Sequence, residues 1–245
     1  MRGVWTIYRR ELAGLFVGPL AWILLCLALW FNGFWFTATL ESFQGDVTEV
    51  MRFSLGGSYP FWFLMIALPP ILTMRMISEE SRGGMLEFLL TAPVSDAAVV
   101  VGKFFAATTV MAVMWSVYLL YGLLMMQLGT SPDWWPLIGG VVGAILCSGL
   151  FCAIGILCSS LTSTPMLSLF FALVFNGVFF GLPFAVGFLD SELVSRVVQT
   201  VDVYRHFYQS FNIGVLDTAP IVFFVAWSAL FVFLAVRRVE MRRWS

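Results

Sequence analysis

The sequence predicts an all-α, polytopic membrane protein, a single transmembrane domain over residues 1–245 with six transmembrane helices and both termini in the cytoplasm. Three observations carry this reading. Of the 245 residues 60% are hydrophobic and 11% charged, at a mean hydropathy of +0.94. Soluble domains average about 45–50% apolar and about 25% charged, so this chain in water would bare large apolar patches. Six apolar stretches reach or approach the roughly 20 helical residues that cross a bilayer core: about 18–40, 58–74, 104–128, 136–161, 165–189 and 219–236. No charged residue falls within them except at their margins, where Glu41 and Arg75 lie just outside. A mid-bilayer charge costs about 2.5–3.5 kcal/mol. The same composition excludes a soluble globular protein and a disordered chain. A net charge of −1 excludes the basic field of a nucleic-acid binder.

The elements follow in order. Residues 2–17 form an amphipathic helix with Val4, Tyr8, Leu12 and Leu15 on one face and Arg9 and Arg10 on the other, suited to the inner membrane surface. The opening MRGVWTIYRREL is too polar for a cleaved signal peptide, so the first apolar run is a permanent span. The second span carries Pro69 and Pro70 and is expected to kink or unwind near its inner end. Ten of the 13 Lys and Arg residues fall in the N-terminal segment, the 75–103 loop and the C-terminal tail, against three on the other side. This places both termini in the cytoplasm. Trp134 and Trp135 mark an outer edge, while Trp115 and Trp227 sit mid-span as packing residues. No internal repeat is visible, so inverted-repeat transporter folds gain no support.

The cytoplasmic 75–103 loop is amphipathic. Met85, Leu86, Phe88, Leu89 and Leu90 are too apolar for a solvated loop, and Glu79, Glu80, Arg82 and Glu87 form a polar rim. Anionic headgroups would repel three glutamates, so the loop is expected to dock a protein partner. Pro93 ends its first helix, and Ser95 with Asp96 caps the next. The outer 190–218 segment reads as a helix over 191–213, capped by Ser191, ended by Gly214 and packed through Val201, Tyr204, Tyr208 and Phe211. It serves either as a lid on the outer ends of the spans or as an exit gate or docking platform.

No enzyme site emerges. Cys26, Cys147, Cys152 and Cys158 lie in apolar runs without a CxxC pair and read as small hydrophobes. His206 has no companion ligands. Ser148 lacks a paired base. Gly102-Lys103 fails the phosphate-loop pattern, because Ala97 and Phe104 stand where glycine and Ser/Thr are required. The chain therefore holds no cofactor and no ATP of its own. Among the few mid-span polar residues, Asn176 is either an interhelical hydrogen-bonding group or part of a substrate path. Gly177, Gly181 and Pro183 suggest a close-packed or bent fifth span where a second chain could pair.

These residues fall into three blocks. Near the start stand Arg10-Glu11-Leu12, then Phe16, Pro19, Ala21 and Trp22. In the loop stand Leu72-Thr73-Met74-Arg75, Glu79-Glu80, Gly84, Glu87, Leu89-Leu90, Pro93-Val94-Ser95 and Gly102-Lys103. Near the end stand His206-Phe207, Gly214-Val215, Asp217, Arg237-Arg238 and Arg242-Arg243-Trp244. In this order and spacing the chain resembles the permease subunits of type-2 ABC exporters (ABC-2 type), and within them the gliding-motility, GldF-like branch. Met85 stands where that family usually has threonine, and Gly18 where it often has serine. The resemblance implies a bacterial inner-membrane exporter permease paired with a second copy or a sister permease. It implies two cytoplasmic ABC ATPase subunits that bind ATP and Mg, and an auxiliary membrane protein with an extracytoplasmic domain. It further implies a coupling helix after the second span, placing Glu79, Glu80, Arg82, Gly84, Met85, Glu87, Phe88, Leu89, Leu90 and Pro93 at the ATPase. The competing readings are a membrane anchor that recruits a cytoplasmic partner and a standalone ion-coupled transporter.

Overall fold

Pro19 fixes where the first span begins. Its missing N–H costs nothing at the first helical position, and Gly18 before it is extended, so the chain breaks between two helices. The structure, a computed structural model, describes residues 2–43, 46–82, 95–185, 198, 200–214 and 217–242. Its helices are α1 (Arg2–Val17), α2 (Pro19–Ser42), α3 (Val47–Arg52), α4 (Tyr59–Thr73), α5 (Ser78–Arg82), α6 (Asp96–Trp115), α7 (Val117–Gln127), α8 (Trp134–Leu161), α9 (Pro165–Ala185), α10 (Val203–Tyr208) and α11 (Thr218–Arg242). Six helical stretches are long and apolar enough to cross a membrane: Pro19–Ser42, Tyr59–Arg82, Asp96–Gln127, Trp134–Leu161, Pro165–Phe184 and Thr218–Met241. We call the end that carries α1, α5 and the close of α11 the basic end.

Helix α8 is the axis of the bundle and packs against α11, α6, α4 and α9. Its most apolar stretch is 78% buried, against 28% for α2 and 22% for α9. Small residues make this possible. A Cβ at Gly143 would stand 2.7 Å from the Phe211 side chain, and one at Gly155 would run into Thr73. Trp115 is fully buried on α6 and donates from Nε1 to Ser148 Oγ of α8 at 2.7 Å. Ser148 in turn donates to the Ala144 carbonyl at 2.6 Å, so it is a structural acceptor.

The second span keeps its helix through the two prolines and unwinds just after them, at its inner end. Helix α4 runs continuously through Pro69 and Pro70 and ends at Thr73, and the chain then turns over 74–77. Each proline lacks an N–H and frees the carbonyl four residues earlier. Thr73 Oγ1 donates to the Pro69 carbonyl at 2.7 Å. The Ile66 carbonyl, freed by Pro70, receives Asn176 Nδ2 of α9 at 3.4 Å. The third helix begins at Asp96, eight residues before the span read from the sequence, capped by the Ser95 side chain on Ala98 N at 3.3 Å. Lys103 therefore lies within a continuous helix, not on its margin.

At the opposite end, α3 is capped by the Asp46 carboxylate and leads through a π-helical turn (Phe53–Gly57) into α4. Gly56 has a φ of +127°, a conformation that needs glycine, and the Phe207 ring packs against it. The Trp62 indole closes the turn on the Gly56 carbonyl at 2.8 Å. The outer helix differs from the reading over 191–213. Residues 201–202 are not helical, α10 starts at Val203 with Asp202 as its cap, and a 3₁₀ turn (Phe211–Ile213) follows. Gly214 ends it with φ +83° as a left-handed cap. The buried face is Val203, Phe207 and Phe211, while Tyr208 is exposed. The Asp202 carboxylate on Arg205 N at 2.9 Å resets the start and thus the face. Ser191 and residues 192–197 lie outside the described residues.

Helix α1 covers the residues read as amphipathic. It packs along α6, with Ile7 as its buried residue and Val4, Tyr8, Leu12 and Leu15 half-buried. Glu11 meets Lys103, Ile7 meets Gly102, and the Tyr8 hydroxyl meets Thr109 Oγ1 at 3.2 Å, so the two helices run antiparallel. A Cβ at Gly102 would stand 2.8 Å from Ile7. Gly102→Leu should cost about 1–3 kcal/mol by overpacking. It should also release α1, read as a lower melting temperature and faster proteolysis near the N-terminus; an unchanged N-terminal cleavage rate would refute this packing.

Candidate functional site

The residues of the first two sequence blocks converge at the basic end. The loop before α5 is held by α8: Ser159 Oγ accepts from Ile77 N and Ser78 N, each at 3.1 Å, and donates to the Met74 carbonyl at 3.1 Å. The Ser78 hydroxyl also donates to the Met74 carbonyl. A side chain from a distant helix thus supplies the N-terminal cap that α5 lacks locally. Helix α5 then presents Glu80 inward and Glu79 outward.

Lys103 is the centre of the site. Its side chain is 1% exposed, and Nζ lies 2.9 Å from Glu80 Oε1 and 3.1 Å from Glu11 Oε1. Arg10 Nη2 closes the square, 2.6 Å from Glu11 Oε1 and 3.5 Å from Glu80 Oε1. Two cations and two carboxylates from α1, α5 and α6 therefore neutralise one another. A buried ammonium needs this arrangement, because an uncompensated charge out of water costs several kcal/mol. Glu80 Oε2 is buried without a hydrogen-bond partner among the described residues. Gly102, next to Lys103, admits the α1 backbone close to α6. The glycine permits the approach and the lysine rewards it.

The structure places the sequence-predicted residues as follows. Glu80 is engaged within the chain by Lys103 and Arg10, and Glu79 pairs with Arg75 at 3.3 Å on the surface. Arg82 is exposed at the end of α5. Gly84, Met85, Glu87, Phe88, Leu89, Leu90 and Pro93 lie outside the described residues. Asn176 is fully buried on α9 and bonds α4 through Nδ2, while its Oδ1 has no partner among the described residues. Gly177 and Gly181 face open space, and Pro183 lies within α9. Lys103, Arg10, Glu11 and Ser159 were not singled out as site residues by sequence reasoning. The signal present was the charged residues Arg10, Glu11, Glu79, Glu80 and Lys103 at the margins of apolar runs.

His206 stacks on Phe223 at 4.3 Å with Nε2 at 3.2 Å from the Thr200 carbonyl. No metal-binding group of His, Cys, Asp and Glu occurs among the described residues. Tyr204 stacks on Tyr208 at 5.5 Å, and burial, aided by the neighbouring Tyr208, Tyr59 and Asp202, raises its phenol pKa.

Residues 37–242 match the family described as ABC-2 family transporter protein. Comparison with curated proteins returns no match.

The ion square makes a specific prediction. Lys103→Met should destabilise the fold by about 3–5 kcal/mol, because Glu11 and Glu80 would be left buried against each other. Adding Glu11→Gln and Glu80→Gln to Lys103→Met should restore much of the loss, as measured by thermal unfolding in detergent. A triple variant no more stable than the single one would show that the square is not what Lys103 holds together.

Proposed function

The chain belongs to the ABC-2 family of transporter proteins, a multi-pass membrane subunit of an ABC transporter, and on that premise we propose that it is an exporter permease of the GldF-like branch. In this reading the basic end faces the cytoplasm and the 75–103 loop carries the coupling helix, over residues 79–93, that seats on a separate ATPase. Phe88 and Leu89 are the buried anchors of that contact, with Glu87 and Arg82 at its rim. ATP and Mg bind the ATPase, and no step of their chemistry occurs in this chain. A second copy or a sister permease completes the translocation path. An auxiliary membrane protein with an extracytoplasmic domain joins at the outer face, in a bacterial inner membrane.

The observation that carries this reading is the anchoring of the coupling segment's root. Residues 74–80 are fixed to α8 by Ser159, to α6 by Lys103 and to α1 by Arg10. A load applied beyond Arg82 is therefore delivered to three helices at once, as a shift between inward- and outward-facing states requires. A loop that only recruited a partner would have no need of so stiff a root.

Affinity purification from native cells in mild detergent tests this. An ABC ATPase should co-purify in equal amount and be lost in the double variant Phe88→Ala/Leu89→Ala, at a docking cost of about 2 kcal/mol or more per anchor. Recovery of a different cytoplasmic protein, with no nucleotide-dependent change in the accessibility of α4 and α9, would assign the chain to membrane anchoring instead. Transport by the purified chain without any ATPase would assign it to ion coupling.

A further inference from the structure

Two side chains of α9 carry buried polar atoms that meet no partner. Asn176 and Ser168 are both fully buried, and Asn176 Oδ1 and Ser168 Oγ have no hydrogen-bond partner among the described residues. Buried polar atoms in folded proteins are nearly always satisfied, by the protein or by ordered water. The amide of Asn176 has a fixed orientation. The Ile66 carbonyl of α4, which Pro70 deprives of its helical donor, accepts only, so it takes Nδ2, at 3.4 Å. Oδ1 is left in need of a donor.

The two residues share one stripe of α9 with Ala172, which lies one turn from each and is also buried. Ser168 is one turn in from the start of α9, which follows the close of α8 at the basic end. Asn176 lies about 12 Å deeper along the helix, where it faces α4. Neither α4 nor α9 contains a charged residue, so neither helix offsets the charge of a bound ion. We propose that the seam between α4 and α9 is hydrated from the basic end and holds an ordered water on Asn176 Oδ1. That water donates to Oδ1. Ser168 Oγ, which both donates and accepts, is the polar station on its way from the aqueous side. Helix α9 is then tied to α4 partly through an exchangeable molecule, unlike the glycine-packed contacts of α8. The site stands independently of the exporter reading.

Isotope labelling of asparagine alone tests this, because the chain has only Asn32, Asn176 and Asn212. Solid-state NMR on the full chain in proteoliposomes reads the transfer of magnetisation from water to each side-chain amide. Asn32 is the internal reference, also buried, with Nδ2 on the Ala28 carbonyl and Oδ1 accepting from Tyr118. Transfer to Asn176 should build up several-fold faster than transfer to Asn32, and the loss of that signal in Asn176→Leu assigns it. Ser168→Ala removes a hydroxyl that bonds no described group; it should leave the melting temperature unchanged and slow the transfer to Asn176. Equally slow transfer to Asn176 and Asn32 would overturn the proposal. An Asn176 signal that shifts when sodium is replaced by a bulky organic cation would overturn it too, by making the occupant an ion. Undiminished transfer in a folded Ser168→Ala chain would overturn entry from the basic end.

Discussion

One buried ammonium organises the basic end of this protein. Lys103 sits where the chain leaves water, on a helix that is otherwise apolar, and at 1% side-chain exposure it cannot be hydrated. Its charge must be met by the protein, and the two carboxylates that meet it come from α1 and α5. That requirement draws the N-terminal helix against α6 and positions the segment leading to residue 83. The contacts around it are consistent with this: a glycine where α1 approaches α6, a serine on α8 capping α5, and an arginine completing neutrality.

Much of the architecture was legible because lipid imposes a coarse grammar. Six apolar runs were enough to expect six spanning helices, and the described residues hold six helices long and apolar enough to cross a membrane. What escaped was register. Ile7 is the most buried residue of α1, beside the half-buried Val4–Tyr8–Leu12 stripe, because α1 packs along α6. The outer segment was read on the Tyr204–Tyr208 face, whereas Val203 and Phe207 are the buried residues of α10, the helix that Asp202 caps. Pro69 and Pro70 suggested a kink. The sequence could not show that Asn176 of another helix would take up the Ile66 carbonyl that Pro70 frees. The site was half legible: Glu79, Glu80 and Arg82 were named for their polarity, but Lys103 was set aside with a failed phosphate-loop pattern. Long-range pairing between residues 11, 80 and 103 leaves no local trace beyond the charged residues themselves.

The two ends of the bundle are stabilised by different physics. The basic end relies on compensated charge. The opposite end relies on rings: Phe61, Phe207, Phe211, Trp115 and Phe224 are all fully buried, and Phe61 lies 4.8 Å from Trp115 and 5.3 Å from Phe207. Between them, Tyr118 donates to Asn32 Oδ1 at 2.9 Å, a buried polar link between the first and third spans. Charge pairs weaken with ionic strength, whereas packed rings do not. The two ends should therefore respond differently to salt and to detergent.

The glycine-lined groove of α8 has a consequence for how the chain is made. Gly139 and Gly143 leave a notch that only the 3₁₀ turn at Phe211 fills. The notch is synthesised well before its plug, with the whole of α9 between them. During insertion the axis of the bundle therefore waits, partly unpacked, for a segment on the far side of the membrane to be delivered. The axis is fully packed only once both that outer turn and the last span, α11, have been made.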